Sequence, residues 1–210
     1  MTNDLKQWIA DLNDPQREAV EYDGGPLLIL AGAGSGKTRV IVHRIARLID
    51  AAGASPRSIL AVTFTNKAAQ EMRERVGQLL GFDASGVTVS TFHSLGARIL
   101  REKIELLGYP REFTIYDDSD QLSLMKTVIK DHGLDPKKVT PKSLRNWVDA
   151  IKREAFEISD VARYPDPKIE RYVPLITTYQ ERMKECNAVD FGDLLLLTHK
   201  LLNDFPESAK

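Results

Sequence analysis

The sequence predicts an α/β protein with a doubly wound parallel sheet and an inserted all-helical segment. Between Leu27 and Gly108, three apolar, β-prone runs are each followed by an amphipathic helical pattern, which is typical of consecutive β–α units. After Pro110 the strand signals stop, and apolar residues recur only at helical spacing. These two observations indicate a sheet domain interrupted by a helical one.

Composition limits the class of protein. The 210 residues suffice for one large domain or two small ones, and 42% hydrophobic and 28% charged residues are ordinary for a globular protein. The single cysteine, Cys186, excludes an intrachain disulfide and suits a reducing compartment. We expect a cytoplasmic protein, because no secretory signal or membrane-length apolar run is found. The net charge of −1 excludes adhesion to nucleic acid by bulk charge but allows a local basic groove.

The strongest motif is the segment Ala31–Thr38, which reads Ala-Gly-Ala-Gly-Ser-Gly-Lys-Thr and directly follows the apolar run 27–30. Its small residues allow backbone N–H groups to surround a polyphosphate, Lys37 can reach the β- and γ-phosphates, and the Thr38 hydroxyl can bind Mg²⁺. A helix predicted over residues 37–50 directs its positive dipole end at the same anion. The motif predicts a nucleoside triphosphate site. A glycine-rich loop without a ligand would not explain the Lys-Thr pair.

The remaining elements of the α/β part follow in order. A short helix capped by Asp14 runs through Val20, and a strand follows at 27–30. The next strand, at 58–64, is expected to be buried on both faces, and the helix after it ends at Gly81. A strand at 87–90 and a helix from about Ser94 to Leu107 complete this part. The inward residues of the helix that ends at Gly81 are Ala69, Met72, Val76, Leu79 and Leu80.

The segment after Pro110 is predicted to be helical, with a last helix at 190–203 returning to the first domain. Its predicted helices carry Leu122, Met125, Val128 and Ile129, then start at Thr140-Pro141, then span about Ile169 to Cys186. The basic run 136–153 has two interpretations, a solvated helix face, which the run alone favours, or a surface that faces DNA. We interpret Asp117-Asp118 as a helix-capping junction and not as a catalytic pair.

Two similar turns follow the predicted strands. Residues 64–67 read Phe-Thr-Asn-Lys and residues 91–94 read Thr-Phe-His-Ser, both at the ends of parallel strands, where α/β sheets bind ligands. Aromatic rings beside small hydroxyl and amide groups suit single-stranded nucleic acid, because bases stack on the rings and polar groups contact phosphates. In the alternative interpretation the two rings fill the top of the sheet, while Asn66 and Ser94 cap helices.

Together these segments resemble the UvrD/PcrA/Rep family of superfamily 1 DNA helicases. The matching segments are Leu12–Val20 (the Q motif), Ala31–Arg39 (motif I), Ala61–Met72 (motif Ia), Ser90–Leu95 (motif Ib) and Val189–Leu195, in which Gly192 replaces an Asp of the family pattern. The resemblance covers the whole chain. It implies a RecA-like P-loop NTPase subdomain 1A over 1–113, a helical insertion 1B over 114–188, and a return to 1A over 189–210.

The resemblance also implies roles for individual residues. ATP and Mg²⁺ would be bound by Gln16 at the adenine edge, Arg39 against the base, Ala33, Gly34, Ser35 and Gly36 in the loop, and Lys37 and Thr38 at the phosphates and metal. The single-strand path would be lined by Phe64, Thr65, Asn66, Thr91, Phe92 and His93. The family moves 3′ to 5′ along DNA in repair or replication, and single-stranded DNA and single/double-strand junctions are the implied partners. In this context a DNA-facing role for the basic run 136–153 becomes stronger.

Two parts of a complete helicase are missing from this sequence. Hydrolysis needs carboxylates for Mg²⁺ and for the attacking water, usually an adjacent Asp-Glu pair, and the chain has no such pair. No second RecA-like domain is present. We therefore expect the N-terminal part of a longer helicase, nearly inactive alone. The alternatives are a non-enzymatic module that binds ATP or DNA, and a small-molecule phosphotransferase, which would need a lid that nothing after residue 110 supplies.

Overall fold

The computed structural model describes residues 9–80, 86–135, 137–154, 170 and 172–209. The chain combines helices with short parallel strands, which confirms the α/β class. It divides into two compact units, Met1–Phe92 and His93–Lys210.

The first unit contains one described β–α–β connection. Its elements are α1 (Asp14–Glu21), α2 (Lys37–Asp50), β1 (Leu60–Thr63), α3 (Asn66–Leu80) and β2 (Thr88–Thr91). Strands β1 and β2 pair in parallel, with Leu60 opposite Thr88 and Thr63 opposite Thr91. Their core joins the inner faces of α2 and α3 to the strands through Val42, Ile45, Ala61, Ala69, Met72, Val76, Val87 and Val89. The predicted inward face of the helix over 66–80 is confirmed for Ala69, Met72 and Val76.

The predicted strand at 27–30 is wrong for this structure. Residues 27–30 have no strand assignment, and Leu28 and Leu30 are 81% and 87% exposed. A strand requires a neighbour for its backbone hydrogen bonds, and no described strand pairs with this run. The strand predicted over 58–64 is shorter, and Leu60 is 55% exposed, so the predicted burial on both faces is also wrong. The described sheets have two strands each, so the predicted doubly wound sheet is not seen.

The helix boundaries depend on local capping. Asn13, and not Asp14, caps α1, because its side chain accepts from the backbone N–H of Gln16 while Gln16 reaches back to the N–H of Asn13. The helix expected from about Ser94 begins at Phe92 as α4 (Phe92–Lys103). It continues as a 3₁₀ turn and ends at Gly108, whose φ of 75° suits a glycine. The predicted terminator Gly81 lies outside the described residues.

The second unit is mainly helical. After α4 its elements are β3 (Thr114–Ile115), α5 (Asp118–Asp131), α6 (Pro141–Arg153), α7 (Val173–Glu185), β4 (Ala188–Val189) and α8 (Phe191–Asp204). One core joins α5, α6 and α7 through residues such as Met125, Leu144, Val148, Ile176 and Met183. A second core joins α4 and α8 and includes Leu100, Ile104, Phe113, Val189, Leu194 and Leu201.

Several predictions for this unit are confirmed, and two are wrong. Asp117 caps α5 with a capping box, and Thr140 caps α6, as the sequence predicts. The expectation that strands stop after Pro110 is wrong, because β3 and β4 pair in parallel. The helix expected over 169–186 is α7; its expected start falls on residues outside the described ranges. The solvated-face interpretation of the run 136–153 is wrong for Lys152, which is buried.

Candidate nucleotide and nucleic-acid sites

The loop before α2 contains two glycines in the left-handed region. Gly34 and Gly36 have φ values of 77° and 90°, a region that other residues rarely adopt. Gly36 is the N-cap of α2, and its carbonyl accepts the N–H of Val40 at 3.0 Å. Ser35 steadies the loop by donating from its hydroxyl to the Gly32 carbonyl at 2.7 Å. Ala33, Gly34 and Ser35 are exposed, so the free N–H groups at the start of α2 lie behind an accessible loop.

Lys37 is folded back onto this loop. Its Nζ donates to the carbonyl oxygens of Ala31 at 2.9 Å and Gly32 at 2.6 Å. The ammonium is therefore held against the backbone carbonyls of the loop. Thr38 and Arg39 follow on the exposed side of α2, and Arg39 lies 3.9 Å from the carboxylate of Asp11.

Gln16 lies against the same loop. Its Nε2 donates to the Ser35 carbonyl at 3.0 Å, and its Oε1 accepts from the N–H of Asn13 at 3.3 Å. A Cβ on Gly36 would lie 2.7 Å from this Nε2, so the glycine makes the contact possible. The structure thus brings together the predicted nucleotide residues from two segments that are distant in sequence.

The turn after β1 and the first residue of α4 present two aromatic rings. Phe64 is 92% exposed and Phe92 45% exposed, and their ring centroids lie 6.1 Å apart. An exposure of 92% excludes the interpretation in which Phe64 fills the top of the sheet. The described structure thus offers a pair of exposed aromatic rings at the turn after β1 and the start of α4.

The other residues predicted for the DNA path have varied positions. Thr65 caps α3, because its Oγ1 accepts from the N–H of Ala68 at 3.1 Å, and Asn66 is the first residue of that helix. Thr91 is buried, so the structure does not bring its side chain to the surface with the two rings. His93 belongs to the second unit, where its ring meets that of Phe191 at 5.6 Å.

The second unit contains a buried ionic cluster. The Nζ of Lys152 lies 2.7 Å from carboxylate oxygens of both Asp190 and Asp193, and Tyr179 donates to Asp190 at 3.2 Å. Burial raises the pKa of Asp193. Burial alone would also raise the pKa of Asp190, but the Lys152 ammonium and several hydrogen bonds bring it below its ordinary value. Burial would lower the pKa of Lys152, yet the two carboxylates raise it, so Lys152 remains charged.

Comparison with known proteins decides the family. Residues 12–210 match the family described as UvrD/REP helicase N-terminal domain. The chain belongs to this family. Its relatives include the ATP-dependent DNA helicase PcrA of Bacillus subtilis, 44% identical over 202 residues that cover 96% of this chain and 27% of the relative. DNA helicase II of Escherichia coli is 44% identical over 198 residues, which cover 94% of this chain and 28% of that protein. The chain therefore spans about a quarter of the length of these relatives.

In this UvrD/REP helicase N-terminal domain, the sequence did not reveal that Lys152 is buried between two carboxylates. A cavity of about 750 Å³ lies beside the cluster in the second unit, lined by residues that include His93, Asn146, Asp149, Arg153, Phe191 and His199. The charge pattern of the run 136–153 could not show which of its basic residues was buried, although the sequence did contain the Asp-Phe-Gly-Asp segment at 190–193. None of the helices that the structure describes is long and apolar enough to span a bilayer.

Proposed function

We propose that this chain is the ATP- and single-strand-binding part of a 3′–5′ DNA helicase. The observation that carries the proposal is that one compact unit combines an accessible glycine loop in front of α2 with the exposed ring pair of Phe64 and Phe92. The relatives named as DNA helicases at 44% identity support the same function.

The proposed nucleotide site uses the loop and both flanking helices. The N–H groups of Ala33, Gly34, Ser35 and Gly36 would bind the phosphates of ATP, with the positive end of α2 behind them. Lys37 would exchange its two loop carbonyls for phosphate oxygens, which are stronger partners for an ammonium because they are charged. Gln16 would turn its amide to the adenine edge, and Arg39 would pack on the base.

The proposed metal is Mg²⁺, bound by Thr38. The hydroxyl lies in the first turn of α2, next to Lys37 and exposed, so it fits a site shared between the protein and the phosphates. Such an ion would neutralise charge on the phosphates of bound ATP.

The proposed DNA path runs over the ends of β1 and β2. Bases would stack on Phe64 and Phe92, while Thr65, Asn66 and His93 would contact the strand, and Thr91 would support the path from beneath. This arrangement reads no sequence, as a helicase requires. Single/double-strand junctions are the proposed substrates, in DNA repair or replication.

The proposed domain organisation is subdomain 1A over 1–113 and 189–210, with 1B over 114–188. Two packing observations support it: one core contains only elements between Tyr116 and Ala188, and another joins residues 97–115 to residues 189–205. We also propose that β1 and β2, which pair in parallel, belong to a RecA-like sheet.

The test is nucleotide and DNA binding by the 210-residue chain. Lys37→Ala should weaken ATP binding by about 10- to 100-fold, the cost of losing charged hydrogen bonds. Calorimetry measures this change, and fluorescence anisotropy with labelled oligothymidine should show single-strand binding that Lys37→Ala preserves. Equal ATP affinity in the variant, or no oligonucleotide binding by the wild type, would contradict the proposal.

A further inference from the structure

The helix α1, which carries Gln16, is attached to the rest of its unit by few buried apolar side chains. It has eight residues, and its apolar attachment is a small cluster of Leu12, Val20 and Val40. A helix this short is not stable by itself, so contacts with its surroundings must define its position.

The C-terminal end of α1 is bound by a side chain from α2. The half-buried Arg44 donates from Nη1 to the carbonyl oxygens of Ala19 at 3.0 Å, Val20 at 3.4 Å and Tyr22 at 2.8 Å. The last carbonyls of a helix have no partner within the helix, and the last turn of α1 has no basic residue of its own. Arg44 therefore supplies from α2 the C-terminal cap that α1 lacks.

The N-terminal end of α1 contacts the phosphate loop. Gln16 lies in the first turn, bonded to the Ser35 carbonyl and to the N–H of Asn13. Eight helical residues span about 12 Å, so Arg44 and Gln16 act at opposite ends of one rigid rod. A tilt of α1 at the Arg44 end would displace Gln16 from the loop.

We propose that Arg44 is a positioning residue for base recognition. By binding the C-terminal carbonyls of α1, it sets where Gln16 lies relative to the phosphate loop, and so it determines the preference for adenine nucleotides. It does not determine the affinity for the triphosphate, because the loop and Lys37 belong to α2 and its preceding turn. The inference rests on the proposed function, in which Gln16 recognises adenine.

The experiment compares ATP, GTP and inorganic tripolyphosphate by calorimetry with the 210-residue chain. Arg44→Ala should lower the preference for ATP over GTP by about five- to tenfold, the effect of one lost hydrogen bond, and leave tripolyphosphate affinity unchanged. Gln16→Ala should lower the preference by the same factor. The matched control is Arg47→Ala, which removes an arginine of the same helix that binds the exposed Asp23 carboxylate at 2.7 and 2.8 Å. It should leave the preference intact.

The other possible outcomes show whether the inference about Arg44 fails alone or together with the proposed role of Gln16. An equal loss of ATP, GTP and tripolyphosphate affinity in Arg44→Ala would mean that Arg44 only stabilises the unit, and it would overturn the inference. A preference lost in Gln16→Ala but kept in Arg44→Ala would overturn the inference and leave the proposed function standing. A wild type without preference would contradict the role of Gln16, and the inference with it. If Arg44→Ala does not fold, Arg44→Gln, which reaches fewer carbonyls, replaces it, and full preference in that variant overturns the inference.

Discussion

At the scale of single residues, the exposure of Phe64 separates its two interpretations. Because the ring is 92% exposed, Phe64→Ala removes almost no buried surface and should leave the free energy of unfolding within about 0.5 kcal/mol. If a base stacks on the ring, single-strand affinity should fall by about 1–3 kcal/mol. Anisotropy and urea denaturation measure the two quantities. Leu106→Ala, at an exposed apolar position of the second unit, should change neither; DNA affinity unaltered in Phe64→Ala would contradict the stacking role.

Gly192 is the position where this chain departs from the family pattern, and its neighbours explain the departure. A Cβ there would lie 2.9 Å from Cδ of Lys152 and 3.3 Å from Oδ1 of Asp190. The Lys152 side chain cannot move easily, since its ammonium is bound at both Asp190 and Asp193. The glycine therefore gives the stem of the buried lysine its space.

Gly192→Ala should accordingly destabilise the protein. Overpacking costs about 1–3 kcal/mol, which outweighs the gain of about 0.5–1 kcal/mol that alanine brings to a helix. Urea denaturation measures the difference, with Gly25→Ala as the control, because an added methyl group there meets nothing within 4 Å. A Gly192→Ala variant as stable as the wild type would show that the Lys152 side chain can adopt another conformation that leaves room for the methyl group.

The chemistry of single residues was partly readable from the sequence. The loop motif predicted a phosphate-binding role for Lys37, Thr38 and the loop glycines, because that spacing is typical of a phosphate-binding turn. The contact of Gln16 with Ser35 was not readable, since it joins residues 19 apart through a loop conformation. Neither was the burial of Lys152, because it depends on Asp190 and Asp193 of a different helix.

At the scale of elements, the Lys152 cluster ties α6 to the start of α8. Lys152→Met should destabilise the protein by about 3–5 kcal/mol at neutral pH, because two buried carboxylates lose their counter-ion. In the wild type the pKa of Asp190 is lowered and that of Asp193 raised, so their pH effects oppose each other. Without the ammonium, burial raises the pKa of both carboxyl groups. A carboxyl group whose pKa is raised in the folded state contributes stability at low pH, and this contribution is lost as the pH rises through the raised pKa. The difference in the free energy of unfolding between Lys152→Met and the wild type should therefore become smaller as the pH falls.

Urea denaturation between about pH 5 and about pH 7 tests this prediction. The control is the double variant Lys152→Met with Asp193→Asn, which keeps one buried carboxylate and should recover stability with a weaker pH dependence. A loss for Lys152→Met that stays constant over the whole range would mean that the cluster contributes packing and not charge.

Helices were predicted better than strands, for a physical reason. The helices α5, α6 and α8 have periodic apolar faces and capping residues that act locally, as at Thr140 and Asp117. The strands β3 and β4 have two residues each, too few for any periodicity, and exist because their backbones pair with each other. The run 27–30 shows the reverse: its residues favour a strand, but pairing depends on a neighbour that composition cannot reveal.

At the scale of the whole molecule, we expect the chain to bind ATP without cleaving it. The sequence has no Asp-Glu pair, and the adjacent acids Asp117 and Asp118 are otherwise engaged. Asp117 accepts the N–H groups of Ser119 and Asp120, and Asp118 lies 2.8 Å from Arg145. A positioned carboxylate that accepts a proton contributes about 10²–10⁴-fold to a reaction rate. Without one, we expect ATP hydrolysis by this chain to be very slow.

We therefore expect the 210-residue chain to bind ATP but to release phosphate near the uncatalysed rate, with or without single-stranded DNA. A continuous phosphate-release assay, run beside calorimetric titration of the same sample, measures both halves of the prediction. The Lys37→Ala variant is the control, and it should lower the binding while leaving the already low rate unchanged. Turnover that DNA stimulates and Lys37→Ala abolishes would show that the chain has a catalytic carboxylate after all, and Asp117→Asn and Asp118→Asn would then identify whether it is one of this pair.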